Sequence, residues 1–261
     1  MKAAKWIIVG VIVIAIIMAG VAAKRHWFPA VKDAWFHFDL KDFRSAPVGL
    51  TIVRPTHFPL SLSRGVNGDV ANGVRRVMGR NITLQQLMAI AYECSASRVI
   101  VPAGTPTNRF DFLITFPTGK APDTLKQEIQ KQLGYVGEMK TQETEVLDLK
   151  VVTANSPGLV VSDAAEKPGV RFVNGFLNFK HMTMGVIAQE VEGMLNQPVV
   201  DKSGLTQSYD YSIAWTGRMQ RMVREQNVTR ERIDQILSGW GLGLEEDTET
   251  VNMLVVEKKG R

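Results

Sequence analysis

The chain has 261 residues, of which 45% are hydrophobic, so it can form one large domain or two ordinary ones with their own cores. Its formal net charge of +5 comes from the first 32 residues, which hold five lysines and arginines and no acid; the other 26 basic residues equal the 26 acidic residues. This balance argues against nucleic-acid binding, which needs a basic surface.

An apolar run lies near the N-terminus of the chain. Residues 6–23 carry no charged or strongly polar side chain, and as a helix they rise about 27 Å, the thickness of a bilayer core. We therefore expect residues 1–26 to be a membrane anchor with a single transmembrane helix. A cleaved signal peptide ending at Val21-Ala22-Ala23 is the alternative, although Lys24 and Arg25 disfavour cleavage there.

Aromatic residues are frequent around this run and after it. Tryptophan is typical of the headgroup level of a membrane, so Trp6, Trp27 and Phe28 are predicted interface anchors. The aromatic residues from Trp35 to Phe43 are predicted to pack on the first folded unit. Residues 27–72 are thus predicted to be an aromatic strap and glycine-rich loops, with turns at Asn67-Gly68 and Asn72-Gly73.

One supersecondary pattern then occurs twice. Thr83 and Thr183 each open an apolar helix, and a short β-branched run follows. Gln86, three residues after Thr83, predicts a capping box at the first of these helices. A strand of alternating aromatic residues begins 27 residues after Thr83, at Phe110, and 26 residues after Thr183, at Tyr209. Because the large residues occupy the same positions in both copies, core packing is favoured over a stacking platform for bases or sugars.

Each copy is predicted to end in a second helix and a β-hairpin. The first repeat then spans residues 73–152 and the second spans 170–261, joined by a linker at 153–169. The predicted fold class is α+β: an N-terminal transmembrane helix followed by two tandem β-α-β-β-α-β-β repeats. This element order resembles the short N-terminal domains of secretins and TonB-dependent receptors, a likeness of fold that carries little functional weight.

Two motifs carry a family resemblance. The run Asp201-Lys202-Ser203-Gly204-Leu205-Thr206, followed by Tyr209-Asp210, resembles a signature of the soil-associated protein family, a bacterial family without assigned function. Lys202 and Ser203 stand where arginine and threonine are usual. The segment Asn81-Ile82-Thr83-Leu84, followed by Ala91-Tyr92, is similar to that family's helix-opening motif.

The resemblance covers roughly residues 48 to 258 and implies an exported or membrane-anchored protein. The expected location is the bacterial cytoplasmic membrane, with one span and a soluble part facing the periplasm or the outside. In some family members the domain is attached to zinc-peptidase sensors of the β-lactam-sensor type. This chain lacks His-Glu-x-x-His, so the peptidase activity does not transfer.

Nothing in the sequence groups catalytic, metal-ligating or cofactor-binding residues, and we predict none of these sites. The leading hypothesis is a membrane-anchored extracytoplasmic module that binds a protein partner. Its candidate interaction site is the turn with Asp201, Lys202 and Gly204, although Asp-x-x-Gly is also ordinary turn chemistry. The alternatives are a structural subunit of a membrane complex and an envelope hydrolase using the equivalent residues Asp111 and Asp210.

Overall fold

The computed structural model describes residues 35–36, 40–59, 65–119, 123–163, 165, 167–217, 219, 222 and 228–259. The first unit contains α1 (Leu40–Ser45), β1 (Thr51–Pro55), β2 (Gly65–Ala71), β3 (Val74–Thr83), α2 (Leu84–Ala91), a 3-10 turn (Ala96–Arg98), β4 (Val99–Ile100), β5 (Arg109–Pro117), α3 (Asp123–Leu133) and β6 (Tyr135–Val151). The second unit contains β7 (Val160–Val161), β8 (Gly169–Val173), β9 (Phe176–Thr183), α4 (Met184–Leu195), β10 (Val199–Asp201), β11 (Ser208–Ala214), α5 (Arg230–Gly239) and β12 (Leu242–Lys258).

Three four-stranded sheets hold these elements together. The first sheet has the order β1-β5-β3-β2, and the second sheet repeats it as β7-β11-β9-β8. The central sheet has the order β10-β6-β12-β4 and takes strands from both units. The aromatic stripes lie on the inner faces of the first and second sheets, where Phe112 and Tyr211 are buried among the apolar helix residues. The predicted core packing of both stripes is confirmed.

The central sheet exchanges strands between the two units. β6 and β12 pair antiparallel over their whole lengths, from Tyr135 opposite Lys258 to Val151 opposite Leu242. One end of β6 lies in the core of the first unit, whereas its Leu147 lies in the core of the second. Conversely, Leu254 of β12 lies in the core of the first unit. Each unit therefore completes the hydrophobic core of the other.

The predicted fold class is wrong. The structure is mostly β-sheet, and the last strand of each unit does not fold back as a local hairpin but pairs with the last strand of the other unit. The sequence pattern concealed this arrangement because a long alternating run satisfies a hairpin and a single 17-residue strand equally well. The segment assigned as a linker carries β7, which pairs with β11 in the second sheet.

The predicted transmembrane helix is not supported. Among the residues that the structure describes, no helix combines the length and the apolarity needed to cross a bilayer. Residues 6–23 themselves lie outside the described residues, and so do the predicted interface anchors Trp6, Trp27 and Phe28.

Several local predictions can be compared with the structure. Phe36 and Phe43 pack against the outer face of the first sheet, as predicted for the aromatic strap. Thr83 and Gln86 form the predicted capping box at the start of α2. Asn72-Gly73 is a turn, with φ of 53° and 70°; Asn67-Gly68 is not, because it lies inside β2.

Candidate functional site

Four carboxylates meet on one face of the central sheet. Asp148 of β6 lies opposite Glu245 of β12, and Asp247 and Glu249 follow on the same face because strand side chains alternate with period two. One oxygen from each of Asp148, Asp247 and Glu249 lies within 4.8 Å of the other two. We call these four residues the carboxylate cluster.

Two lysines approach the carboxylate cluster from its sides. Lys150 Nζ lies 2.7 Å from Glu245 Oε2 and 3.3 Å from Asp148 Oδ2. Lys202 Nζ lies 2.5 Å from Glu249 Oε1. The hydrogen bond with Glu245 raises the pKa of Lys150, and the hydrogen bond with Glu249 raises the pKa of Lys202. Both lysines are therefore cationic and offset part of the negative charge.

Asp148 is the member of the carboxylate cluster with the least access to solvent. The residue is only 2% exposed. Its Oδ1 has no hydrogen-bond partner within the described part of the chain. A buried carboxylate oxygen without a partner is unfavourable, because it has lost its water without gaining a donor.

The predicted interaction turn lies beside the carboxylate cluster. Asp201 Oδ1 accepts hydrogen bonds from the amide of Ser203 at 3.0 Å and from its hydroxyl at 2.6 Å, so this aspartate shapes the turn. Gly204 has a φ of 68°, which suits glycine. Of the three residues predicted at this turn, only Lys202 contacts the carboxylate cluster. The acidic run from Glu245 to Glu249 was visible in the sequence, but its approach to Asp148 depends on the pairing of β6 with β12.

Asp111 and Asp210, the residues of the hydrolase hypothesis, lie in different sheets and accept the same kind of hydrogen bond from the backbone. Asp111 Oδ1 accepts the amide of Asn81 at 3.1 Å, and Asp210 Oδ1 accepts the amide of His181 at 3.0 Å. Asn81 and His181 both have a positive φ, of 56° and 54°. Each aspartate therefore binds a backbone amide where the preceding strand leaves regular geometry before the helix.

Each of the two aspartates also has a basic partner. Asp111 is fully buried, and its Oδ2 lies 3.5 Å from Arg54 Nε. Asp210 Oδ2 forms an ion pair with Lys180, while its Oδ1 also accepts the Ser162 hydroxyl at 2.5 Å. Burial alone would raise the pKa of Asp210, but the hydrogen bonds from Lys180, Ser162 and the backbone lower it to about 2. Asp210 thus stabilises the fold, and Asp111 holds the equivalent backbone position in the first unit.

Replacing Asp210 with Asn is expected to lower the free energy of unfolding at pH 7 by about 1 kcal/mol, because the ion pair with Lys180 is lost. The pKa of Asp210 is lower in the folded chain than its ordinary value of 3.8. Its stabilisation is therefore present above pH 3.8 and disappears as the pH falls towards 2. Urea unfolding at several pH values measures both effects.

The control for this test is Asp123→Asn, because the Asp123 side chain is 69% exposed. It should leave the urea midpoint and its pH dependence close to those of the unmodified chain. An Asp210→Asn chain that unfolds like the unmodified one at every pH would contradict the structural role of this carboxylate.

The second sheet has an exposed apolar edge. β8 pairs with β9 on one side, and no strand among the described residues pairs with its other side. Val170 and Phe172 of β8 are 51% and 59% exposed. They lie opposite Phe179 and Leu177, so their side chains share the inner face of the sheet with Tyr211.

A small apolar pocket lies on the same inner face. The rings of Phe179, Tyr211 and Trp240 line it, with centroids 4.6 Å apart in each successive pair. Its volume is about 20 Å³, room for one or two water molecules and none for a cofactor-sized ligand. Glu190 is an exposed residue at the pocket, and desolvation of its carboxylate by the neighbouring side chains raises its pKa.

Comparison with known protein families shows which family the chain resembles. A family model described as protein of unknown function matches residues 85–258, which is more than half of the chain. The chain belongs to the DUF3738 family. The predicted membership in an uncharacterised family is thereby confirmed, whereas soil association and linkage to zinc peptidases stay predictions.

The DUF3738 match covers the carboxylate cluster and the β8 edge, because it begins in the first turn of α2 and ends at the last residue of β12. No curated protein matches this DUF3738 chain. No solved structure matches it either.

Proposed function

We propose that this chain is a non-catalytic binding module that holds an extended segment of a partner protein along the free edge of β8. Adding a strand to a sheet edge is a common mode of peptide recognition, in which main-chain hydrogen bonds supply affinity and alternate side chains supply specificity. The observation that carries the proposal is the exposed apolar β8 edge.

The exposed apolar side chains of β8 indicate that a partner chain covers this strand. Val170, Phe172 and Val173 of the strand and Phe176 of the adjoining strand are between 47% and 59% exposed. A flat apolar edge of this kind is a template for aggregation unless another chain covers it. Contiguous exposed apolar residues are also typical of interaction surfaces.

The corresponding edge in the first unit differs in chemistry. Gly68 of β2 occupies the position of Phe172, since the two lie opposite Val77 and Leu177 in equivalent registers. Asp69 of β2 forms an ion pair with Arg44 of α1, at 2.9 Å. A small residue and a paired charge give that edge less apolar surface for docking, so the proposal concerns the second unit.

The charge beside β8 defines the chemistry of the partner. Arg171 lies on the outer face of the sheet, opposite Asn178, and is exposed. A strand added next to β8 would place its own alternate residues on the same two faces. The partner segment is therefore expected to have apolar residues facing the pocket side and acidic residues facing Arg171.

The non-catalytic character is supported by the engagement of the candidate acids. Asp111 and Asp210 lie in separate sheets, and each is hydrogen-bonded to the backbone of its own unit. The apolar pocket is too small for a cofactor, and its lining is apolar apart from Glu190. These features suit a scaffold whose work is done at a surface.

The partner can be identified by site-specific crosslinking in the native host. A photo-crosslinking phenylalanine derivative at position 172 should capture one protein, at residues that form an extended segment. The same derivative at Val66, which is 47% exposed on the equivalent edge of the first unit, should not capture it. Equal capture from both positions, or none from position 172, would exclude docking at β8.

Replacing Phe172 with Lys is then expected to weaken binding of the crosslinked segment by about 30-fold, the effect of losing one aromatic hot-spot residue. Folding should be unaffected, because the side chain is 59% exposed. Titration of a synthetic peptide of that segment into the full chain gives the dissociation constant. Val66→Lys is the control, and equal affinities for the two variants would overturn the proposal.

A further inference from the structure

We infer that the carboxylate cluster binds a hard divalent cation, with calcium as the best fit. Asp148, Asp247 and Glu249 supply the protein ligands, and water completes the coordination. Calcium takes six to eight oxygen ligands and commonly uses aspartate and glutamate carboxylates together with water. This inference is independent of the proposed docking at β8.

The first observation is the convergence of oxygen atoms. One oxygen from each of Asp148, Asp247 and Glu249 lies within 4.8 Å of the other two. Two ligands on opposite sides of a calcium ion are separated by about 4.6 to 5.2 Å, because each Ca–O bond is about 2.3 to 2.6 Å long. The three oxygens can therefore contact one ion with little movement.

The second observation is the unpartnered oxygen of Asp148. This residue is 2% exposed, and its Oδ1 accepts no hydrogen bond within the described residues. Its Oδ2 already faces Lys150 at 3.3 Å. A metal ion bound at the carboxylate cluster would give this buried oxygen a positively charged partner.

The third observation is the charge of the site. The carboxylate cluster contains four acidic side chains, whereas Lys150 and Lys202 supply two positive charges. The excess of two negative charges equals the charge of one divalent cation. Carboxylates brought this close repel one another, so a bound cation relieves the repulsion across β6 and β12.

The position of Lys202 links the ion to the turn predicted from the sequence. Lys202 Nζ contacts Glu249 Oε1, one of the groups assigned to the metal. A cation coordinated by Glu249 competes with this lysine because the two positive charges repel each other. Calcium is therefore expected to move Lys202 away from Glu249 and to alter the turn that Asp201 and Gly204 shape.

Titration of calcium chloride into the chelator-treated full chain, followed by calorimetry, tests the inference. We expect one equivalent to bind with a dissociation constant of about 1 mM or tighter, the range of extracellular calcium modules. Asp247→Asn should weaken binding by about 10-fold or more, since loss of a supporting ligand group alone costs that much. Asp247 is exposed, so this variant should fold normally.

The matched control is Glu246→Gln, which removes an acidic residue from the same strand. Glu246 lies opposite Leu147, so its side chain points to the other face of β12. It should bind calcium like the unmodified chain, and at the same calcium concentration the thermal midpoint of both should rise by more than that of Asp247→Asn. Absence of saturable binding up to about 10 mM, ten times the weakest expected dissociation constant, or equal weakening by the two variants, would overturn the inference.

Magnesium chloride is titrated in parallel to test the choice of ion. Magnesium demands near-ideal octahedral geometry at about 2.0 to 2.1 Å and dehydrates reluctantly, so we expect weaker binding than for calcium. Tighter binding of magnesium than of calcium would overturn the assignment of calcium.

Discussion

Replacing Leu147 with Ala is expected to lower the free energy of unfolding by about 2 to 5 kcal/mol, the range for removing a buried leucine side chain from a core. Leu147 is fully buried. Although it belongs to the last strand of the first unit, it lies in the core of the second unit with Ile187 and Leu237. The cavity therefore forms in the unit to which the residue does not belong in sequence.

The exchange of β6 and β12 makes this effect extend over both units. Leu254 is the counterpart of Leu147, since it is fully buried in the core of the first unit although it belongs to the second. Neither unit can lose its core without releasing a strand that completes the other. We therefore expect Leu147→Ala and Leu254→Ala each to lower the stability of both units together, in a single transition.

Hydrogen exchange at increasing urea concentrations measures the two units separately, with α2 reporting on the first and α4 on the second. Both helices should lose protection at the same urea concentration in each variant. Met139→Ala is the control, because Met139 lies on the same strand as Leu147 and is 48% exposed. If Leu147→Ala destabilised α4 and left α2 unchanged, the two units would unfold independently. The exchange of β6 and β12 would then not couple their unfolding.

The second large effect is expected at the ion pair between the units. Arg98 of the first unit donates to Glu192 of α4, with Nε 2.9 Å from Oε1 and the terminal nitrogen 2.7 Å from Oε2. Ser97 Oγ donates to Oε1 at 2.7 Å, and the Val199 amide donates to Oε2 at 3.0 Å. Glu192 is 2% exposed, so its charge depends wholly on these donors.

Replacing Glu192 with Ala is expected to lower the free energy of unfolding by about 3 kcal/mol, because Arg98 loses its carboxylate partner and the Val199 amide loses its acceptor. The value lies at the lower end for a broken buried pair, since Arg98 keeps 25% of its side chain exposed and can recover some water. Urea unfolding at pH 7 measures the loss. Equal stability of Glu192→Ala and the unmodified chain would mean that the pair contributes nothing.

The pH dependence of the unfolding free energy supplies an independent check on the contribution of Glu192. Burial alone would raise the pKa of Glu192, but hydrogen bonds from Arg98, Val199 and Ser97 outweigh it, and the pKa is lower than the ordinary 4.5. The stabilisation is therefore present above pH 4.5 and is lost as the pH falls through the folded-state pKa. The free energy of unfolding of Glu192→Gln should depend less on pH in this range than that of the unmodified chain.

Glu190 lies on the same helix and is a control, because its pKa is shifted in the opposite direction to that of Glu192. Desolvation by neighbouring side chains raises its pKa although the residue is exposed, so its charged form slightly opposes folding at neutral pH and this small cost disappears on acidification. Glu190→Gln should be at least as stable as the unmodified chain at pH 7. Loss of stability in both variants would indicate a general effect of altering α4.

The sequence predicted local features well where a few neighbouring residues decide them. The capping box of Thr83 and Gln86 depends on residues three positions apart, and the structure contains it. The aromatic alternation after Phe110 and after Tyr209 predicted the buried faces of β5 and β11 for the same reason. The turn at Asn72-Gly73 follows from the tolerance of these two residues for positive φ.

The candidate sites show where sequence reasoning ends. Lys202 was singled out for its place in a turn, yet its ion-pair partner Glu249 lies 47 positions later in the chain. The convergence of Asp148 with Asp247 depends on the register of β6 against β12, and a shift of one residue would place them on opposite faces. The equivalence of Asp111 and Asp210 was visible, but their structural role became clear only from the amides that they accept.

By itself, the sequence determined the two copies of the repeat, the helix starts and the apolar faces, because propensity, capping and periodicity act over a few residues. The tertiary structure decided which strands pair. A 17-residue alternating strand has no local signal for its partner. β6 and β12 pair because each then buries apolar side chains in the core of the other unit. That long-range exchange, driven by burial of apolar surface, also brings the carboxylate cluster together.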